Sequence, residues 1–291
     1  MQNPTDSDAA RLDAELVDID WRTPLPGAVR GHFDAPSGRL ATLSMGREGD
    51  PRAVLVPGVT GSKEDFALML PILADAGYHA LSYDMAGQYE SADAGPASGA
   101  YTHDLFVADL IAVLESGSAP VHVLGYSFAG TVAQIALSLR PELFASLTLL
   151  SAPPQPGQGF RGVKRIGRFS HLTTGPVGAS LMIWGLHRNV TKVPPQRLAF
   201  VKHRLLSTSR ASVADIIMLM KNSPDLRATL RDWSGPKLVA VGEHDLWPTA
   251  LHSDFAAAID AQLAVYPTGH SPCETTPHQL TRDLLALYAR A

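Results

Sequence analysis

The stretch Gly125-Tyr126-Ser127-Phe128-Ala129-Gly130 constrains this chain more than any other. The apolar run Val121-His122-Val123-Leu124 precedes it, and the helix-forming run Thr131-Val132-Ala133-Gln134-Ile135-Ala136-Leu137 follows. A serine at a sharp strand-to-helix turn needs nearly side-chain-free residues two places before and two after it, and Gly125 and Ala129 meet that need. Gly130 lets the helix sit close to the preceding strand. Such a turn lifts the Ser127 hydroxyl out of a sheet and aims the Phe128 N–H at the oxygen of a bound carbonyl. The alternative is an ordinary strand–turn–helix connection with an incidental serine, so the rest of the chain must supply partners.

β-like segments fall at residues 30–34 and 39–45, followed by the apolar run Ala53-Val54-Leu55-Val56. That run is short and continuous, as expected of a strand buried on both faces. Phe66, Met69, Leu70 and Leu73 have helical spacing across residues 63–76. A strand at 79–84, a helix at 102–115, the strand at 121–126, a helix at 128–139 and a strand at 147–150 continue the alternation. This is the pattern of an α/β protein with a mostly parallel sheet, and the handedness of crossover connections makes it doubly wound.

At Pro153-Pro154-Gln155-Pro156-Gly157 the alternation stops, to resume with strands at 238–241 and 263–266 and helices at 249–259 and 277–289. Residues 155–233 read as helical, around Leu181-Met182-Ile183-Trp184 and Ile216-Ile217-Met218-Leu219-Met220. They hold 13 Lys/Arg against 3 Asp/Glu, a balance of +10, which leaves −14 for the rest of the chain. The expected organisation is an acidic N-terminal arm or short helix at 1–28, a core formed by 29–154 and 234–291, and a helical lid at 155–233. Arg161, Lys164, Arg165 and Arg168 concentrate the lid's positive charge.

Pro57-Gly58-Val59-Thr60-Gly61-Ser62 joins a strand to a helix, but it lacks the lysine pattern or spaced glycines of a phosphate cradle. It suits an oxyanion loop, with Gly58 allowing close approach and Val59 donating its N–H. Gly242-Glu243-His244-Asp245-Leu246-Trp247-Pro248 and Gly269-His270-Ser271-Pro272 follow the last two strands, so a parallel sheet brings them to the edge that carries Ser127. Among 11 histidines, only His270 combines a strand-end loop, an adjacent glycine and the final place in a Ser–acid–His order. His270 is expected to take the Ser127 proton and Asp245 to orient the ring, with Glu243 and Asp254 as the competing acids. Pro248, suited to a helix start, favours Asp245.

These motifs, together with Asp84-Met85-Ala86-Gly87, resemble the α/β-hydrolase superfamily over residues 30–290. The resemblance implies Ser127 as nucleophile, Asp245 and His270 as its partners, and the Val59 and Phe128 N–H groups as the oxyanion hole. Two departures are the Pro57-Gly58 in place of His-Gly and Ala129 as the fifth elbow residue. A serine nucleophile argues against the dehalogenase and epoxide-hydrolase branches, which the resemblance pairs with aspartate.

The resemblance leaves the serine-nucleophile classes open, and of these a carboxylic ester hydrolase acting on a small to medium apolar substrate is expected. Thioesterases, C–C hydrolases, cofactor-free perhydrolases and a non-catalytic small-molecule binder are the alternatives. Tyr126, Met182, Trp184 and Trp247 are expected to line the pocket. No cofactor or metal is expected; Cys273, the sole cysteine, excludes an intrachain disulfide and a cysteine-rich metal site, and the expected partner is a small molecule, not nucleic acid. Homo-oligomerisation is left open. Residues 1–6 show no basic or apolar leader, and no apolar run approaches the roughly 20 residues of a membrane span. The expectation is a cytoplasmic protein.

Overall fold

In a computed structural model of the chain, residues 6–96, 99–163, 174–188 and 193–291 are described. The strands are β1 (Val29–Ala35), β2 (Gly38–Met45), β3 (Arg52–Val56), β4 (His79–Tyr83), β5 (Val121–Tyr126), β6 (Phe144–Leu150), β7 (Lys237–Gly242) and β8 (Gln262–Tyr266). They form one sheet in the order β1-β2-β4-β3-β5-β6-β7-β8. β2 pairs antiparallel with β1 and β4, and every pairing from β4 to β8 is parallel. The helices are α1 (Asp6–Ala14), α2 (Leu70–Asp75), α3 (His103–Glu115), α4 (Phe128–Leu139), α5 (Gly175–His187), α6 (Pro195–Ser207), α7 (Arg210–Met220), α8 (Arg227–Asp232), α9 (Thr249–Ala258), α10 (Pro272–Thr275) and α11 (Pro277–Tyr288).

Alternation along the central strands divides the core in two. Val54, Val56, Val121 and Val123 pack with Phe106 and Leu110 of α3, Val132 of α4 and Phe255 of α9. Ala53, Leu55 and Leu124 face the other way, against Leu70 and Leu73 of α2 and Leu280 and Leu284 of α11. Each of these Val, Leu and Phe side chains contributes about 1.5–3 kcal/mol on leaving water, so the carboxyl ends of β3 and β5 are held from both sides.

The helix expected over 63–76 is divided. A 3₁₀ turn occupies Lys63–Phe66, and α2 begins afresh at Leu70 with Pro71 in its first turn. Proline lacks the N–H that a continuous helix would use there. Within the acidic N-terminal stretch, residues 6–14 form α1, and the stretch is not wholly solvated. Ala9 and Trp21 are buried, and the Asp13 carboxylate accepts from the backbone N–H groups of His278 and Gln279 at 2.8 and 3.1 Å. It thereby satisfies two of the donors that the start of α11 leaves open.

Helices α5, α6 and α7 lie between β6 and β7, and α8, within the same 155–233 stretch, packs on α4 and α9. The positive excess of residues 155–233 is partly internal. Arg197 Nη2 of α6 reaches Asp65 Oδ1 at 2.6 Å and Glu274 Oε1 at 2.5 Å, and Arg204 Nη1 reaches the same Asp65 oxygen. Asp65, Arg197 and Arg204 are all buried. Lys164, Arg165 and Arg168 of the basic cluster lie outside the described residues.

Candidate active site

Ser127 ends β5 and starts α4 with φ 53° and ψ −119°. A non-glycine residue held at positive φ costs on the order of 1–3 kcal/mol, which the surrounding structure must impose. It does so through backbone contacts: the Ser127 N–H donates to the Leu150 carbonyl at 2.8 Å, and the Gly130 N–H donates to the Ser127 carbonyl at 2.9 Å. A Cβ on Gly125 would stand 2.5 Å from the Ala129 carbonyl oxygen, and one on Gly130 would stand 2.4 Å from the Ala152 Cβ. Both elbow glycines are therefore demanded by close approach and not by φ.

The loop after β3 presses on this elbow, since a Cβ on Gly58 would lie 2.9 Å from the Ser127 Cβ. The N–H groups of Val59 and Phe128 have no intramolecular acceptor among the described residues. The next N–H along, that of Thr60 (φ 60°), is instead taken by Gln88 Oε1 at 2.9 Å. Gln88 is fully buried and donates from its other end to Ser212 Oγ of α7 at 2.7 Å. This residue, in the loop after β4, carries no motif that marks it in sequence.

His270 lies in the loop after β8 and Asp245 in the loop after β7. The His270 ring stands with Nε2 3.3 Å from Ser127 Oγ and Nδ1 2.5 Å from Asp245 Oδ1. Ser127 and Asp245 are buried, while the His270 side chain retains partial exposure. Burial alone would raise the Asp245 carboxyl, but the charge and hydrogen bonds of His270 and His252 outweigh it and hold its pKa down to about 2. Glu243, the competing acid, is half exposed and pairs with His244 at 3.1 Å, away from the ring.

His252 is set aside on sequence as one of the histidines in helix-like runs, and it lies in α9. Its Nε2 lies 2.9 Å from Asp245 Oδ2, and its side chain is buried. The acid thus stands between two histidines, seven residues before one and 25 before the other.

Of the expected pocket residues, Tyr126 and Trp247 flank the histidine, with ring centroids 5.3 and 6.0 Å from that of His270. The Tyr126 hydroxyl is 2.8 Å from Ser271 Oγ, and Trp247 Nε1 donates to the Gly159 carbonyl at 2.7 Å. Met182 packs on a cluster of Ala179, Val213, Ala214 and Ile217 that also touches Val59 and Phe160. Trp184 is a correction. It is 57% exposed, beneath the Arg188 guanidinium, because α5 turns its Val177–Leu181–Trp184 face to solvent. A cleft of about 330 Å³ between Arg231, Trp233, Lys237, Asp260 and Arg290 lies at the opposite, amino-terminal ends of β7 and β8 and holds none of these groups. Among the described residues, no group of three or more His, Cys, Asp or Glu is placed to hold a metal ion, and no helix is long and apolar enough to cross a membrane.

Residues 53–283 match the alpha/beta hydrolase family. Epoxide hydrolase A of Mycobacterium tuberculosis (strain ATCC 25618 / H37Rv) is 31% identical over 119 residues, covering 40% of this chain and 37% of that protein. The match therefore spans little more than a third of that relative's length. A thermophilic esterase from Thermogutta terrifontis superimposes with a TM-score of 0.69 at 22% identity, over 89% of this chain and 97% of its own. An epoxide hydrolase from Vigna radiata does so with a TM-score of 0.73 at 13% identity, over 92% and 100%. At these identities the two structures are alike in fold alone.

Proposed function

The chain belongs to the alpha/beta hydrolase family, and from that premise we propose that it is a serine hydrolase cleaving a small to medium apolar carboxylic ester. The reading is carried by one observation: Ser127 Oγ, His270 and Asp245 stand in a row beside two N–H groups left without internal acceptors.

In this scheme Ser127 Oγ attacks the ester carbonyl carbon while His270 Nε2 takes its proton. The 3.3 Å separation shortens as substrate seats, as is usual for such pairs before substrate binds. Charge develops on the former carbonyl oxygen, where the Val59 and Phe128 N–H groups stabilise it without reorganising. Asp245, ionised in its folded setting, stabilises the imidazolium and keeps the Nδ1 proton on its own side. His270 then protonates the departing alcohol, leaving an acyl group on Ser127. In the second half, His270 removes a proton from water as it attacks the acyl carbon, and Ser127 leaves with that proton restored.

The lid cluster of Met182, Val213 and Ile217 reaches Val59, which favours an apolar acyl portion over a charged one. Epoxide opening, the activity named for the Mycobacterium tuberculosis relative, is not carried over, because a serine stands at the elbow. Hydrolysis of p-nitrophenyl esters of increasing chain length tests the reading, with an organophosphonate as the site label. The expected result is turnover together with a covalent adduct on Ser127. Full activity in Ser127→Ala, or an adduct elsewhere, overturns it.

A further inference from the structure

We infer that His252 is a positioning residue for the triad, holding Asp245 through the carboxylate oxygen that His270 does not use. The inference rests on the serine-hydrolase reading and extends it beyond the three residues named there.

Asp245 presents two oxygens in different directions. Oδ1 meets His270 Nδ1 and Oδ2 meets His252 Nε2 at 2.9 Å. His252 Nδ1 is buried and has no partner among the described residues. The proton facing Asp245 therefore belongs to Nε2, and this ring donates. A carboxylate rotates about its Cβ–Cγ bond unless both oxygens are engaged, since that torsion is broad and nearly two-fold. One donor on each oxygen removes the freedom, so that Oδ1 stays directed at His270.

The donor is itself rigidly mounted. His252 lies on the first turn of α9, whose Phe255 and Ala256 are buried in the core. Trp247 crosses its ring edge to face, with centroids 6.2 Å apart at 83°. Trp247 is fully buried and anchored to the Gly159 carbonyl at the base of the lid. Orientation of the acid thus originates in the body helix and passes to the base through Asp245. Were His252 only filling space, its donor nitrogen would have no reason to face a carboxylate, and any side chain of similar volume would serve.

The test is a pair of substitutions with kcat and KM measured separately. Glutamine carries its amide nitrogen the same number of bonds from Cα as the histidine Nε2, whereas methionine matches the length without a donor. His252→Met is expected to lower kcat about 10- to 100-fold, as for loss of a hydrogen bond to a charged group, with KM little changed. His252→Gln is expected to stay close to wild type. Wild-type kcat in His252→Met, or equal losses in both variants that follow their melting temperatures, overturns the proposal. If His252→Met does not fold, His252→Asn takes its place, because its amide falls one bond short of Oδ2. It should lose kcat as methionine does, and wild-type kcat in it overturns the proposal equally. Organophosphonate labelling separates the two levels of failure. Wild-type protein that is not labelled at Ser127 removes the triad and the role of His252 with it. Labelled wild type alongside an unimpaired His252→Met removes the role of His252 alone.

Discussion

Gly242 and Gly269 touch backbone to backbone: a Cβ on Gly242 would fall 1.9 Å from the Gly269 carbonyl oxygen. Gly242 closes β7 just before the acid, and Gly269 immediately precedes His270. Their contact fixes how far apart the Asp245 and His270 loops stand.

Gly242→Ala must therefore separate the two loops, because the atom it meets is backbone. Overpacking of this kind costs about 1–3 kcal/mol, and a displacement near 1 Å at the triad costs about 10²-fold in rate. Thermal melts and kcat on one ester check both numbers. Unchanged kcat in a folded Gly242→Ala protein would show that the loop spacing does not matter.

Asp245→Asn should lower kcat by about 10⁴-fold, since an amide favours the wrong tautomer of His270. Glu243→Gln, which alters only the exposed pair with His244, should stay within about twofold. The reverse ranking would identify Glu243 as the acid.

Stability should fall on mild acidification because of His122. This ring is buried in β5, 3.9 Å from the Tyr288 ring centroid, and burial lowers its pKa to about 4. The unfolded chain, with an ordinary value near 6.5, binds the proton first. The contribution is thus fully present above about 6.5 and is lost as pH falls towards 4, by on the order of 2 kcal/mol after allowing for partial hydration. Asp245 acts in a lower window, losing its contribution only below its ordinary value of 3.8 and down to about 2. Urea unfolding at pH 7 and pH 4.5 measures the effect, and His122→Phe should flatten the difference. An equal pH dependence in that variant would assign it to other groups.

Arg197→Met should destabilise the protein by about 3 kcal/mol, because it strips one cation from a buried network and leaves Glu274 unpaired. It should also lower kcat, since Glu274 follows His270 by four residues. Buried pairs are weakly screened, so activity on a neutral ester should respond little to added salt. A steep salt response would instead place the lid under the control of surface charge.

The core of this fold was legible because the determinants are local. Strands such as 53–56 and 121–126 announce themselves by continuous apolar runs, and Ser127, Asp245 and His270 each follow one at the same sheet edge. Helix boundaries at 128–139 and 277–288 were close for the same reason. What stayed hidden depends on contact between distant residues. Nothing periodic links Arg197 to Asp65, 132 positions away, or Gln88 to Ser212, 124 positions away. His252 was masked by its own helix, where a buried donor and a surface histidine have the same spacing. Trp184 misled because an apolar stripe on a helix such as α5 reads alike whether it faces the rest of the fold or the solvent.

The two arginines of α6 also bear on how such a protein can be diversified. Helices α5 to α7 exchanged for those of a relative without these arginines would leave the buried Asp65 carboxylate with no counter-ion and Glu274 without its Arg197 partner. The unit that can be exchanged is therefore larger than the insertion itself. It comprises the inserted helices together with one acid after β3 and another beyond His270, three segments far apart in the gene that must change as a set.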